Sequence, residues 1–435
     1  MEERRVIQTD EKLPILQAIP LALQHLMAMF GATVLVPLLT GLDPSLAIMT
    51  SGAGTILYLV LTRGKIPSYL GSSFAFIGPI IAVAATKGIP AALGGLVVAG
   101  LVYVVVAGFI KAFGTAWLNH VLPPALVGAV VIVIGLGLAG VAVSMATKGA
   151  GDAFDLRNVV VALITLGAAI AFSSYFKGFL ATIPVLLGII VGYVAAAFMG
   201  MVDFKPVLDA AWVGLPKLVF PEFDLGAILI IAPVALVVII EHIGHLLVVN
   251  EIVGKDFTPM LPESLAGDGL ATALSAMVGG TPSTTYAENI GVMAVTKVYA
   301  TQIFWYAGAF AFVIGGFVPK LKFVIQSIPT PVMGGISLLL FGLIASSGLR
   351  MLVESGIDYS HSRNLILSSV VLVVGIGMES TGTSIPIGDY VLPGMATATL
   401  LGIILNLILP RESKGLAETV GADFGGDLAE EAAEA

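Results

Sequence analysis

The chain has 435 residues, of which 57% are hydrophobic and 11% are charged, and its mean hydropathy is +1.03. Soluble domains average about 25% charged residues, so this composition excludes a soluble enzyme. The chain contains no cysteine, which excludes disulfides, thiolate metal sites, iron–sulfur clusters and a cysteine nucleophile. Its net charge of −8 comes largely from the acidic residues 411–435.

Long apolar stretches separated by short polar, proline or glycine breaks predict fourteen membrane-spanning segments, because a spanning helix needs about 20 mostly apolar residues. The segments lie at 14–39, 44–62, 67–86, 91–113, 121–146, 158–175, 179–200, 226–250, 265–279, 281–298, 301–318, 329–348, 364–378 and 389–409. We therefore predict an all-α polytopic membrane protein whose length fits a transporter.

The two ends of the chain are polar. Residues 1–13 lead directly into an apolar segment without a signal-peptide cleavage pattern, which predicts a retained cytoplasmic N-terminus. That orientation puts thirteen of the 20 lysines and arginines on the inner side, in agreement with the positive-inside rule. Residues 411–435 read as a disordered acidic cytoplasmic tail. We expect an integral protein of the plasma (inner) membrane with both termini inside.

Similar residues recur in the two halves of the chain. The fifth segment contains Pro124, Gly128 and Gly135, and the twelfth has the same residue types at the same spacing, 207 positions later. A polar pair follows a proline in both the first and the eighth segment, and a Ser/Thr cluster lies in both the third and the tenth. The number of residues between the matching features is similar in each case. Two halves with an odd number of spans each face opposite ways, so we predict an inverted repeat of seven plus seven.

Few ionisable residues lie inside the apolar segments, where a charged group costs at least about 2.5 to 3.5 kcal/mol. The eighth segment contains Glu241, His242 and His245, and the tenth contains Glu288. Glu241 and His245 are four residues apart and share a helix face, whereas His242 points elsewhere. A buried carboxylate tends to hold a proton that an imidazole can accept, which suits proton coupling. The alternative is a structural hydrogen-bonded pair between helices.

Two segments are too polar and too rich in helix breakers for lipid-facing helices, namely residues 71–79 and 279–291. Such backbone is tolerated in a membrane only where it lines a cavity or is covered by protein. Broken segments at matching places in two halves predict a binding site at the midplane. Helices that start after these breaks would direct the backbone N–H groups of Phe74 and Ala287 into the site. Helix flexibility or close packing of small residues is the alternative explanation.

Two carboxylates with backbone donors suit a planar heterocycle such as uracil, whose ring N–H groups and carbonyl oxygens complement them. Phe74 and Tyr286 could stack on that ring. An anion such as sulfate or bicarbonate is less favoured because no lysine or arginine lies in these segments to bind it. A channel or anion exchanger, or a membrane enzyme with an acid–base carboxylate pair, remains an alternative. We expect no cofactor, no metal and no nucleic acid.

These residues resemble the nucleobase-ascorbate transporters, most closely the uracil permease branch, over about residues 10–410. The resemblance rests on Gln24-His25, on Gly71-Ser72-Ser73-Phe74, on Glu241 with His245, and on the run from Thr284 to Gly291. It implies two inverted seven-span repeats, with short antiparallel strands in the third and tenth spans. It also implies a core domain of residues 14–113 and 226–318, a gate domain of residues 121–200 and 329–409, and a homodimer formed by the gate domains.

The resemblance also implies roles for individual residues. Glu241 and Glu288 would bind the pyrimidine ring, the backbone amides of Phe74 and Ala287 would bind its carbonyl oxygens, and His245 would support Glu241 in proton coupling. Purine and ascorbate carriers typically have glutamine at the position of Glu288, so this residue favours a pyrimidine. Some uracil permeases have glycine at the position of Ala287, so the methyl group narrows the pocket.

Three further residues are expected to support the site, namely His25, Ser73 and Asn289, with His25 steadying the tenth segment. The function implied is proton-coupled uracil import by alternating access, with a purine or xanthine permease or an anion exchanger as alternatives. Glycines of the fifth and twelfth segments are expected to allow close helix approach. Glu379 and Asp389 are expected to lie in a loop rather than in a gate.

Overall fold

The computed structural model describes residues 5–387 and 390–410, and this part of the chain is mostly helical. Within it, eight helices are long and apolar enough to cross a membrane, or nine if a pair bent by 83° forms one span. The predicted polytopic membrane protein is confirmed at this level. Residues 1–4, Asp389 and the predicted acidic tail lie outside the described residues.

The first half of the chain runs from the N-terminal helix to a short helix before the long central loop. Its elements are α1 (Ile15–Thr40), α2 (Pro44–Leu61), β1 (Leu70–Ser72), α3 (Ile77–Lys87), α4 (Ile89–Phe113), α5 (Ala116–Val121), α6 (Pro124–Gly137), α7 (Ala139–Lys148), α8 (Leu156–Tyr175), α9 (Pro184–Phe198) and α10 (Lys205–Asp209). Short 3-10 turns occupy Phe74–Phe76 and Gly178–Thr182.

The second half of the chain contains long helices, a segment broken by a short strand, and a further pair of short strands. Its elements are α11 (Leu225–Ile231), α12 (Val234–Val253), α13 (Leu261–Met277), β2 (Ser283–Thr285), α14 (Ala287–Thr296), α15 (Thr301–Phe317), α16 (Pro319–Gln326), α17 (Thr330–Glu354), α18 (Ser362–Thr381), β3 (Ile385–Ile387), β4 (Tyr390–Leu392) and α19 (Gly394–Ile408). A third 3-10 turn spans Thr258–Met260.

Local sequence explains where several helices begin and end. The Asp43 side chain accepts a hydrogen bond of 2.8 Å from the backbone N–H of Ser45, and Pro44 occupies the first helical position of α2. Pro233 separates α11 from α12, because proline has no N–H to continue the helical ladder. Gly254 adopts a left-handed conformation with φ of 72° and ends α12.

The two broken segments meet as a short antiparallel ladder. β1 pairs with β2 in the register Leu70↔Thr285, Gly71↔Thr284 and Ser72↔Ser283. The Ser73 N–H extends the ladder by donating to the Pro282 carbonyl at 2.9 Å. Strand residues in both segments are fully buried. The ladder therefore satisfies backbone groups that could find no water in a membrane, and the predicted antiparallel strands in the third and tenth segments are confirmed.

The long helices pack as two groups. One group contains α1 to α4 with α11 to α15, and the other contains α6 to α9 with α17 to α19. Glycines allow the closest crossings. A Cβ built on Gly52 of α2 would lie 2.4 Å from the Gly308 carbonyl oxygen of α15, and one built on Gly100 of α4 would lie 2.5 Å from that of Gly269 in α13. Backbones that approach this closely give strong packing between apolar helices.

The predictions for the prolines and glycines of the fifth and twelfth segments are confirmed in part. Pro124 is the first residue of α6 and Pro331 the second of α17, as predicted for helix starts. Gly128 and Gly135 contact α17, and Gly335 contacts α8, so close approach is confirmed for them. The prediction of close helix approach is wrong for Gly342, because a Cβ there would meet nothing within 4 Å.

Gly135→Ala and Gly342→Ala therefore form a matched pair. The new methyl group at Gly135 would lie 2.4 Å from the Phe341 carbonyl oxygen, so we expect overpacking to destabilise the protein by about 1 to 3 kcal/mol. At Gly342, alanine should be neutral or stabilising because it favours the helix by up to about 1 kcal/mol. Thermal unfolding in detergent measures both variants. Equal unfolding temperatures would contradict the packing described for α6 and α17.

Candidate functional site

Both strands of the ladder end at the start of a helical turn. Phe74 begins the 3-10 turn that follows β1, and Ala287 begins α14 one residue after β2. Neither helical start has a side-chain hydrogen bond from its capping residue, which is Ser73 in one case and Tyr286 in the other. First-turn N–H groups have no partner within their own helix. These two starts therefore offer backbone donors to a ligand, at the positions that the sequence predicted.

The two predicted carboxylates are brought together by the packing of α12 against α14. Glu241 lies in the middle of α12 and Glu288 in the first turn of α14. Glu241 interacts electrostatically with Glu288 and with Asp268. Both glutamates are half-buried, and Ala287 between Glu288 and the buried β2 is exposed. The two acids thus lie on neighbouring helices, and neither is fully buried.

His245 lies one helical turn after Glu241 on α12. Its Nδ1 atom is 3.0 Å from the Thr285 hydroxyl, the last residue of β2. This bond joins α12 to the ladder and fixes the orientation of the imidazole beside Glu241. The sequence analysis included Thr285 in the motif of the tenth segment but gave it no role. A hydroxyl at the end of the predicted strand was the available signal.

Tyr286 is held by the protein on several sides. Its hydroxyl donates to the Ser72 carbonyl at 2.9 Å and accepts a hydrogen bond from the Thr33 hydroxyl at 3.2 Å. Its ring lies against Gly71, where a Cβ would come within 2.3 Å of the ring. Glycine is therefore required at that position of β1, and the ring joins both strands to α1. Stacking of Tyr286 on a ligand stays a prediction.

His25 and Asn289 form a buried contact between α1 and α14. The Asn289 side-chain amide lies 3.0 Å from His25 Nδ1 and also donates to the His25 carbonyl oxygen at 3.0 Å. The His25 ring packs on Phe304 with a centroid distance of 4.5 Å. These contacts attach the helix that contains Glu288 to the first helix.

Several buried polar atoms near the ladder have no hydrogen-bond partner among the described residues: Ser73 Oγ, Thr284 Oγ1 and Asn289 Oδ1. Buried polar groups in native proteins are nearly always paired, so unpaired ones call for a ligand or a water. Two of the three belong to residues that the sequence analysis expected to support the site, namely Ser73 and Asn289.

Residues from both helix groups meet beside the ladder. The Phe74 ring contacts the Phe341 ring of α17 edge-on, with centroids 6.2 Å apart. Gln24 of α1 donates to the Thr182 hydroxyl at 2.8 Å, in the 3-10 turn before α9. The candidate site therefore lies against the second group of helices.

One acidic residue in the apolar segments was missed. Asp268 lies in α13 and is fully buried, and its Oδ2 atom is 2.7 Å from His242 Nδ1. His242 does point away from Glu241's face, as predicted, but the sequence analysis gave it no partner. The signal was an aspartate inside the ninth apolar segment, which the search for ionisable residues passed over.

Glu379 corrects another expectation. It lies in α18 rather than in a loop, and its carboxylate accepts a hydrogen bond of 2.8 Å from the Met395 N–H at the start of α19. Both carboxylate oxygens lie 3.7 Å from the position of a Cβ on Gly78 in α3. Glu379 therefore lies where α18 and α19 touch α3.

The sequence matches the profile of a permease family, the Xan_ur_permease or nucleobase-ascorbate transporter family, over residues 16–382. The chain belongs to this family. It is 50% identical to the uracil permease of Paenibacillus larvae over 410 residues, which covers 93% of this chain and 96% of that protein. The uracil permease of Escherichia coli K12 is 49% identical over 409 residues, covering 93% and 94% of the two chains. The chain is thus an integral membrane permease and not an enzyme.

Solved structures of other transporters have the same fold. The transmembrane domain of the cyanobacterial bicarbonate transporter BicA matches with a TM-score of 0.63 at 14% identity, covering 93% of this chain and 99% of that one. The murine anion transporter Slc26a9 in its inward-facing state matches with a TM-score of 0.67 at 10% identity, covering 92% and 69%. At such identities the likeness establishes the fold alone.

Tyr286→Phe tests how the ladder is anchored. Removal of the hydroxyl leaves the Ser72 carbonyl and the Thr33 hydroxyl without this partner, so we expect a loss of about 1 kcal/mol of stability, as for a typical buried hydrogen bond. Thermal unfolding in detergent measures the loss. Tyr175→Phe is the matched control because Tyr175 is exposed at the end of α8. An unfolding temperature equal to that of the control would contradict the anchoring role.

Proposed function

We propose that this permease imports uracil together with a proton. The observation that supports it best is the pair of half-buried carboxylates on α12 and α14, next to two helical starts without side-chain caps. Ring N–H groups of uracil would donate to Glu241 and Glu288, and the backbone N–H groups of Phe74 and Ala287 would donate to its carbonyl oxygens. Relatives of about 50% identity that are named uracil permeases support the same substrate.

An anionic substrate is the second candidate, because the fold neighbours include bicarbonate and anion transporters. The donor set argues against it. Neither α12, α14, β1 nor β2 contains a lysine or arginine, and two acids would repel an anion.

We infer a fold of fourteen spans in two inverted repeats. The two glycine crossings support it, because the contact of α2 with α15 and that of α13 with α4 would be equivalent contacts if the halves correspond. In this scheme the first helix group is the core domain (14–113 and 226–318) and the second is the gate domain (121–200 and 329–409). Gate domains would form a homodimer in the lipid bilayer.

The proposed cycle moves the core domain against the gate domain. Contacts between the groups, such as Phe74 with Phe341 and Gln24 with Thr182, would break and re-form as access alternates. Glu241 would hold the coupled proton, with His245 as its neighbour on α12. Coupling requires that proton and uracil each strengthen the binding of the other. Both termini would face the cytoplasm in the inner membrane.

Uptake by proteoliposomes tests substrate and coupling together. We expect labelled uracil to accumulate when the outside is more acidic than the inside, and to equilibrate without accumulating when the pH is equal. Excess unlabelled uracil should block uptake, whereas sulfate and bicarbonate should not. Equal uptake with and without the gradient would remove the proton from the mechanism, and block by bicarbonate would favour the anion transporter.

Glu288→Gln tests the role of the second carboxylate. The amide loses the charge that strengthens the bond to a ring N–H, so we expect uracil to bind about 10- to 100-fold more weakly, because hydrogen bonds to charged groups contribute about 1.5 to 3 kcal/mol. Purines should be affected less. Glu251→Gln, at an exposed position of α12, is the control. Unchanged uracil affinity in the Glu288 variant would refute its assigned role.

A further inference from the structure

A chain of buried polar side chains crosses the first helix group beside the candidate site. His242 Nδ1 is 2.7 Å from Asp268 Oδ2, and His242 Nε2 is 2.8 Å from the Ser264 hydroxyl. The Ser264 hydroxyl is in turn 2.6 Å from the Tyr58 hydroxyl. All four side chains are at most 1% exposed. The chain connects α12, α13 and α2.

One end of the chain lies near the C-terminal end of α2, where Tyr58 and Ser68 are both buried. The Tyr58 hydroxyl also interacts with the side chain of Ser68, in the loop between α2 and β1. The same loop contains Arg63 and Lys65, which are exposed. In the proposed topology this loop is cytoplasmic. The buried chain thus leads from the middle of the core domain toward the cytoplasm.

The other end of the chain lies close to Glu241. Asp268 Oδ1 and the Tyr103 hydroxyl of α4 are buried and have no hydrogen-bond partner among the described residues. Tyr103 interacts electrostatically with both Asp268 and Glu241. Two unpaired polar atoms in such a position are the partners that a buried water requires. His242 and Asp268 lie among ionisable groups from α2, α4 and α12. These groups are Tyr58, Tyr103, Glu241 and His245.

We propose that Asp268, His242, Ser264, Tyr58 and Ser68 form the wire that releases the coupled proton from the core domain to the cytoplasmic side. This proposal rests on the proposed proton coupling and assigns its exit path. Glu241 would pass its proton to Asp268 through Tyr103 and a buried water. From Asp268 onward, hydrogen-bond contacts lead to Tyr58, whose hydroxyl interacts with Ser68.

The wire can transfer a proton without moving a heavy atom. Protonated Asp268 gives its proton to His242 Nδ1 while Nε2–H gives its proton to the Ser264 oxygen. The Ser264 proton passes to the Tyr58 oxygen, and the Tyr58 proton leaves toward Ser68. Each group gains one proton and loses one, so the proton that enters at Asp268 is balanced by the proton that leaves. Hydroxyls can both donate and accept, so Ser264 and Tyr58 can reverse their hydrogen bonds, whereas His242 must return from its Nδ1–H form to its Nε2–H form before the next proton can pass.

Tyr58→Phe and Ser264→Ala each interrupt the wire, and Tyr69→Phe is a matched control. The Tyr69 hydroxyl is equally buried and pairs with the Ser51 hydroxyl of α2 at 3.1 Å, outside the wire. Two assays are compared in proteoliposomes. One is uracil accumulation driven by a proton gradient, which needs proton release in every cycle. The other is exchange of labelled for unlabelled uracil at equal pH, which needs no net release.

We expect Tyr58→Phe and Ser264→Ala to slow gradient-driven uptake by about tenfold or more, since groups that transfer protons accelerate their step by up to about 10²- to 10⁴-fold. Exchange should stay at the wild-type rate, and Tyr69→Phe should be normal in both assays. Stabilisation of each variant by uracil against heat checks that it is folded. The wire is refuted if both variants keep wild-type uptake, or if uptake and exchange fall equally. Wild-type uptake that ignores the gradient would instead overturn proton coupling itself.

Discussion

The pairing of β1 with β2 is the contact on which the rest of the site depends. A membrane interior offers no water to unpaired backbone groups, so a segment that cannot be helical must find its partners in the protein. The ladder supplies them, with Gly71 opposite Thr284. Because the strands are antiparallel, they end at opposite ends of this short ladder, where Phe74 and Ala287 begin new helical turns. One short ladder therefore stabilises the break and creates the donors.

Much of this arrangement could be predicted from the sequence, because it follows from what lipid excludes. Polar, glycine-rich runs inside apolar segments predicted two broken segments, and the family resemblance implied the strands within them. Rare acids predicted the meeting of Glu241 with Glu288. Contacts that depend on helix rotation could not be predicted. A period of 3.6 residues gives the face of α12 on which His242 lies but not the neighbouring helix, so its pairing with Asp268 could not be predicted, although the aspartate itself is visible in the ninth apolar segment. The absence of a neighbouring helix at Gly342, within the described part of the chain, also depends on how the helices are rotated and packed, so it could not be predicted from the sequence.

The fold alone does not determine the substrate. Bicarbonate and anion transporters have the same fold at 10 to 14% identity, so the chemistry must lie in the side chains at the broken helices. Helix starts favour negative charge, which suits an anion directly. In this chain Glu241 and Glu288 stand beside those starts, and they offset that preference. In the proposed function, backbone donors and carboxylate acceptors together would select a neutral ring with both kinds of group.

The buried polar chain from Asp268 to Tyr58 has a physical cost that its surroundings must offset. A carboxylate and an imidazole in a membrane core are expensive unless every lone pair and proton is used. Ser264 meets part of this requirement because its hydroxyl is within hydrogen-bond distance of both His242 and Tyr58, and a water at the unpaired Asp268 Oδ1 would meet the rest. A contact that only held the helices together would need each hydrogen bond in one direction only, and apolar packing could hold the helices together at lower cost. Hydroxyls that can reverse their bonds are the choice that also allows a proton to pass.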